Sequence, residues 1–139
     1  MASGSNVPRK TILLVEDSKL QRLTSERTLS KEGYSVLSAA TGEEALRLAR
    51  EHVPDLILLD MLLPGMGGEC VLRALKGDAA TMRIPVLVLS GLSQANSTKL
   101  RAEGAADYFQ KGRMFEDAEG KEAFLDMIRE VLREAQVRN

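Results

Sequence analysis

Residues 56–60 read Leu56-Ile57-Leu58-Leu59-Asp60, four aliphatic side chains followed at once by a carboxylate. Two further aliphatic runs, residues 12–15 and 86–89, also stop on an oxygen-bearing side chain. Short aliphatic runs of this kind are typical of strands buried on both faces, which in an α/β protein form a parallel sheet. The sequence therefore predicts a parallel sheet with polar side chains at the carboxyl ends of its strands.

Those polar side chains are expected to share one crevice, because ligands of open parallel sheets bind beyond the carboxyl ends of the strands. The residues that follow the predicted strands are Glu16, Asp17, Asp60, Ser90 and Lys111. Three carboxylates repel one another strongly in a partly dry site and need a hard divalent cation, for which oxygen ligands favour Mg²⁺. A hydroxyl and an ammonium could hold the oxygens of a phosphoryl group on Asp60.

Strands and helices alternate along the chain, which indicates right-handed βαβ units and helices on both faces of the sheet. We predict five strands, including 34–38 and 106–110, and a last helix over 121–136 with Phe124 on its buried face. A first helix is capped by Asp17 or Ser18, with Leu20, Leu23 and Leu29 as its main apolar residues. A fourth helix is predicted over 94–103, and a long polar connection precedes residue 121.

The composition fits one domain of a water-soluble class: the chain has 139 residues, 28% of them charged, and a net charge of −1. That charge gives no reason to expect nucleic acid as a partner, and no apolar run approaches the roughly 18 residues of a membrane span. Cys70 is the only cysteine, which favours a reducing cytoplasm. Residues 1–9 are predicted to be a flexible leader and residues 10–137 the domain.

In this order, and each at a strand end, the motifs resemble those of the response-regulator receiver domain, the flavodoxin-like phosphoacceptor module of two-component signalling. The matching segments are residues 14–18, 55–68, 86–91 and 107–111. The resemblance implies an α/β fold with a doubly wound, five-stranded parallel sheet, (βα)5. It also implies a cytoplasmic signalling protein that catalyses only its own phosphorylation and slow dephosphorylation.

The resemblance further implies a role for each site residue. Asp60 would take a phosphoryl group from a histidine kinase or a histidine phosphotransfer protein. Mg²⁺ would be bound by Asp17, Asp60 and the backbone carbonyl of Leu62, with Glu16 acting through water. Ser90 and Lys111 would hold the phosphoryl group, and Tyr108 would turn inward as Ser90 moves. The altered surface would bind a downstream target or a fused output domain, and a phosphorylation-dependent homodimer is compatible with this scheme.

Two features set this sequence apart. The family has proline directly after the lysine, usually through a cis peptide, whereas this chain has Gly112, which favours a trans bond and a reshaped loop. The resemblance also implies that the side chains two residues after Asp60 and two after Ser90 flank the approach of a hydrolytic water; here these are Leu62 and Leu92, so dephosphorylation is expected to be slow.

Two alternative functions remain. A degenerate receiver would bind partners without phosphorylation; the intact set of acidic, hydroxyl and ammonium residues argues against it, and Gly112 keeps it open. A Mg²⁺-dependent aspartyl-phosphate hydrolase would need a second carboxylate two residues after its nucleophile, where this chain has Leu62.

Overall fold

The computed structural model describes residues 9–91 and 97–138. Most of its elements lie within one or two residues of their predicted bounds. The strands are β1 (Thr11–Val15), β2 (Ser35–Ala39), β3 (Leu56–Asp60), β4 (Val86–Ser90) and β5 (Asp107–Gln110). The helices are α1 (Lys19–Lys31), α2 (Gly42–His52), α3 (Gly68–Lys76), α4 (Ser97–Ala102), α5 (Lys111–Glu116) and α6 (Ala118–Arg138). The predicted leader, except Arg9, and the predicted start of the fourth helix lie outside the described residues.

All five strands are parallel and lie in the order β2-β1-β3-β4-β5. This is the flavodoxin-like order, which reverses direction between β1 and β3 and places a ligand crevice there. The predicted fold class is thus confirmed. Since β3 is central, its last residue, Asp60, lies between the ends of β1 and β4, where it pairs in register with Leu89.

Successive residues of each aliphatic run point into two different cores, one on each face of the sheet. Leu13, Ile57 and Val88 face the core that includes the buried side of α2 and α3. Residues one position along each strand, such as Leu14 and Leu58, face the core that includes α6. The three inner strands, β1, β3 and β4, are therefore covered on both sides, and the polar residues after the strands are left at the edge where the helices begin.

Local capping sets where α1 starts. The Ser18 hydroxyl accepts a hydrogen bond from the Gln21 amide at 3.4 Å, as a helix N-cap does. The apolar side of α1 differs from the prediction: Leu29 is buried, but Leu20 and Leu23 have 76% and 46% of their surface exposed. The buried side of α1 carries Ser25 and Leu29. At about 3.6 residues per turn Leu20 lies on the opposite side of the helix from Leu29, and Leu23 lies about a third of a turn away, so both face away from the core.

The predicted polar connection before residue 121 is wrong, because this segment forms α5 and the first turn of α6. Two glycines and several charges suggested a loop, but Met114 is buried and anchors α5 in the core. Asp117 separates the helices, and its carboxylate accepts a hydrogen bond from the Gly120 amide at 2.8 Å. A Cβ on Gly120 would lie 2.0 Å from the Arg113 carbonyl oxygen, so this glycine permits close packing rather than a break.

Across the described ranges, no helix has the combined length and apolar character that would let it cross a bilayer.

Candidate functional site at the carboxyl edge of the sheet

The predicted site residues converge at the ends of three neighbouring strands. Glu16 and Asp17 directly follow β1, Asp60 ends β3 and Ser90 ends β4. One carboxylate oxygen from each of Glu16, Asp17 and Asp60 lies within 4.8 Å of the other two. Glu16 and Asp60 are buried, whereas Asp17 is exposed at the mouth. The arrangement is an acidic crevice that is open on one side.

Both carboxylate oxygens of Asp60 have partners. Oδ1 accepts a hydrogen bond from the backbone N–H of Leu62 at 3.0 Å, and Oδ2 accepts one from the ammonium of Lys111 at 2.9 Å. The carboxylate is 2% exposed, so these partners, rather than water, balance its charge. Asp60 is therefore held in a fixed orientation at the centre of the crevice.

Lys111 bridges two of the carboxylates, because its Nζ also lies 2.8 Å from Oε1 of Glu16. Burial opposes the charge of Lys111, yet the two carboxylates outweigh that effect, and the pKa of the lysine is raised. Burial raises the pKa of Glu16, although its contacts with Lys111 and with the Ser18 amide oppose that change. The ammonium is thus fixed in its charged form between two acidic groups.

The peptide bond between Lys111 and Gly112 is trans, as predicted from the missing proline. Lys111 is the first residue of α5, so the lysine is placed by a helix that begins directly at the end of β5. Arg113 of the same helix lies over the ring of Phe109, with its guanidinium carbon 5.4 Å from the ring centroid. The reshaped segment therefore leaves the lysine within reach of Asp60.

The loop after Asp60 has two kinds of glycine. Gly65 has a φ of +69°, a conformation that side chains other than glycine rarely adopt. Gly68, at the start of α3, packs against the strand end: a Cβ there would lie 2.5 Å from the Cα of Met61 and 2.8 Å from the Asp60 carbonyl oxygen. Gly68 thus allows α3 to begin directly beside the phosphoacceptor candidate.

The remaining predicted residues flank this centre. Ser90 is buried at the end of β4, one residue beyond the partner of Asp60 in the sheet. Tyr108 is partly buried and packs against the core that includes α2 and α3. Leu62 contacts Asp60 through its N–H, while its side chain is 72% exposed. Leu92 lies outside the described residues.

Arg22 is a further residue of the site, and the sequence motifs did not predict it. Its NH1 donates hydrogen bonds to the backbone carbonyls of Glu16 at 2.8 Å and Asp17 at 3.4 Å. One signal was available: Arg22 lies one turn after the N-cap Ser18, and helical side chains point toward the N-terminus of their helix. A long cationic side chain at this position can reach back to the loop that carries the acidic pair.

A family model and two related proteins assign this doubly wound sheet with an acidic crevice to the same class of protein. A family model described as the response regulator receiver domain matches residues 12–134. PilH from Pseudomonas aeruginosa is 36% identical over 101 residues, which cover 72% of this chain and 84% of PilH. The polar-differentiation response regulator DivK from Brucella ovis is 35% identical over 103 residues, covering 73% and 84%.

Solved structures agree with this class. The chemotaxis protein CheY4 from Vibrio cholerae has a TM-score of 0.78 at 27% identity and covers 89% of this chain and 99% of its own. A CheY-like receiver domain protein from Methanospirillum hungatei has a TM-score of 0.81 at 26% identity, covering 95% and 100%. The chain belongs to the response regulator receiver domain family, whose members are signalling domains of two-component systems.

Proposed function

We propose that this receiver domain accepts a phosphoryl group on Asp60 from the phosphohistidine of a kinase or a phosphotransfer protein, and that the modification switches the binding of a partner. One observation carries the proposal: Asp60 is a buried carboxylate whose two oxygens are held by the Leu62 N–H and the Lys111 ammonium. A carboxylate that is oriented and shielded from water is prepared to act as a nucleophile.

The transfer requires little of the protein beyond positioning. An oxygen of Asp60 bonds to phosphorus as the bond from phosphorus to the histidine nitrogen breaks, and the leaving imidazole takes a proton from water. Lys111 already contacts the Asp60 carboxylate and can pair with the transferred oxygens. The hydroxyl of Ser90, at the neighbouring strand end, is proposed to donate a hydrogen bond to the same group.

The acidic residues fit the divalent cation that the family implies. Three carboxylates face one ammonium, Lys111, so two negative charges are left unbalanced within a cluster less than 5 Å across. We assign the cation to Asp17, Asp60 and the carbonyl of Leu62, with Glu16 holding a bound water. A hard cation such as Mg²⁺ would neutralise developing charge on the phosphoryl oxygens.

The signal would leave the site through the face on which Ser90 and Tyr108 lie. Tyr108 is in register with Val88 on β4 and is partly buried, so its ring lies near the strand that ends on Ser90. We propose that a shift of Ser90 toward the phosphoryl group lets Tyr108 turn inward and changes the surface for a target or a fused output domain.

The decisive experiment compares wild type with Asp60→Asn and with Asp55→Asn, a control on the exposed aspartate at the opposite end of the β3 segment. Each protein is incubated with acetyl phosphate and Mg²⁺, and its intact mass is measured. We expect one phosphoryl adduct on wild type and on Asp55→Asn, and none on Asp60→Asn. An adduct of equal yield on Asp60→Asn would refute the assignment, and its absence from wild type would favour a phosphorylation-independent interaction module.

A further inference from the structure

The loop that carries Glu16 and Asp17 is held from one side by Arg22. The NH1 group of Arg22 donates to the Glu16 carbonyl at 2.8 Å and to the Asp17 carbonyl at 3.4 Å. The same loop is held from the other side by the sheet, since the Glu16 amide donates to the Ala39 carbonyl at 2.9 Å. Backbone groups on both sides of the acidic pair are therefore fixed, while Asp17 keeps an exposed carboxylate.

We infer that Arg22 is a positioning residue for the divalent cation: by fixing two backbone carbonyls it keeps the Glu16 and Asp17 carboxylates directed into the crevice. The inference rests on the proposed cation site but not on phosphorylation itself. Partners that orient metal ligands without touching the metal commonly change its affinity by roughly 10- to 100-fold when they are removed.

Positioning by Arg22 and the charge of Arg22 have opposite effects on cation affinity, so the two can be distinguished by experiment. The guanidinium of Arg22 contacts the backbone of the two acidic residues, and a positive charge there repels an incoming cation, so the loss of its charge alone should not weaken cation binding. Lys111 differs in this respect, because it forms ion pairs with the carboxylates themselves. If Mg²⁺ binds more weakly after Arg22 is neutralised, the loss of charge is not the cause, and the change is explained by lost positioning.

The experiment measures the Mg²⁺ dissociation constant by isothermal titration calorimetry for wild type, Arg22→Met and Arg27→Met. Arg27 is an exposed arginine on the same helix, so its replacement removes the same formal charge from α1. We expect the dissociation constant to rise about 10-fold or more in Arg22→Met and to stay unchanged or fall slightly in Arg27→Met. Equal or tighter binding by Arg22→Met would overturn the inference.

Two further readouts separate positioning from folding and from the proposed function. The melting temperature without Mg²⁺ shows whether Arg22→Met is folded. If it is not, Arg22→Gln, a neutral and shorter side chain, replaces it, and a dissociation constant no higher than that of wild type would overturn the inference. Acetyl phosphate labelling at saturating Mg²⁺ should restore phosphorylation of Arg22→Met to the wild-type level. Absence of labelling in wild type would refute the phosphoacceptor role while leaving the comparison of dissociation constants decisive for Arg22.

Discussion

The corner between α5 and α6 depends on a single missing side chain. Gly120 lies in the first turn of α6, and a Cβ added there would lie 2.0 Å from the carbonyl oxygen of Arg113. Ordinary contact begins at 3.4 Å, so one helix would have to move by about 1.4 Å. The obstacle is backbone, which cannot rotate away as a flexible side chain can. Gly120→Ala should therefore be destabilising, although alanine is the better helix former.

The expected size follows from two opposing effects. Overpacking a well-packed site costs about 1–3 kcal/mol, whereas replacing glycine by alanine inside a helix gains about 1 kcal/mol. The net loss should be up to about 2 kcal/mol, which for a domain of this size lowers the melting temperature by up to roughly 8 °C. Thermal unfolding followed by circular dichroism measures it.

Gly112→Ala is the matched control. Gly112 lies within α5, one residue after Lys111, and a Cβ there would meet nothing within 4 Å. The same substitution should be neutral or stabilising by up to about 1 kcal/mol. If Gly120→Ala proved as stable as Gly112→Ala, the close approach of α5 and α6 would not be a constraint on this fold.

Three further predictions concern metal, signal lifetime and pH. Mg²⁺ should raise the melting temperature of wild type. The Asp17→Asn variant loses one of three repelling carboxylates, so it should be more stable than wild type without Mg²⁺ and should gain less stability when Mg²⁺ is added. Equal shifts of the melting temperature in both proteins would place the metal elsewhere. After the phosphodonor is removed, the phosphoprotein should decay more slowly in wild type than in a Leu62→Asn, Leu92→Glu double variant, whose polar side chains can orient a water. Equal decay rates would show that the two leucines do not slow dephosphorylation. The hydrogen bond with Lys99 lowers the pKa of Glu69 below its usual 4.5. The pair therefore stabilises the fold above pH 4.5, and this stabilisation is lost as the pH falls through the lowered pKa of Glu69. Between about pH 6 and pH 3.5, the melting temperature of wild type should fall more than that of Glu69→Gln, and parallel curves would contradict the assignment.

Features encoded by local pattern could be predicted from the sequence. Aliphatic runs fix strands because each residue must find an apolar face, and a polar residue directly after a run must lie at the strand end; this placed Asp60, Glu16 and Ser90 at one edge. The cap of α2 is local in the same sense: Glu44 comes three residues after Thr41, a capping-box spacing, and the Thr41 hydroxyl accepts a hydrogen bond from the Glu44 amide at 3.2 Å.

Features that depend on contacts between distant segments could not be predicted. Gly120 resembles a helix breaker in sequence, and only the structure shows that it lies inside α6, where its lack of a Cβ permits the close approach to the Arg113 carbonyl. Leu20 was expected to be buried because it is apolar, yet it lies on the side of α1 opposite Leu29, and which side of this weakly amphipathic helix packs on the sheet is decided by tertiary contacts. The hydrogen bond from the Leu62 N–H to Asp60 arises from the path of a loop, which hydrophobic periodicity does not describe.

The partners of Asp60 also determine what phosphorylation can change. Phosphorylation would turn one carboxylate oxygen into a bridging oxygen of low charge and add phosphoryl oxygens that carry most of the negative charge. Lys111, which now lies 2.9 Å from Asp60 and 2.8 Å from Glu16, would then have a stronger acceptor than either carboxylate. Lys111 is the first residue of α5. If its ammonium has to move farther than the side chain can reach, the start of α5 must move with it. The packing of Gly120 against Arg113 joins α5 to α6, so the same corner that stabilises the fold also limits how far the lysine can follow the phosphoryl group.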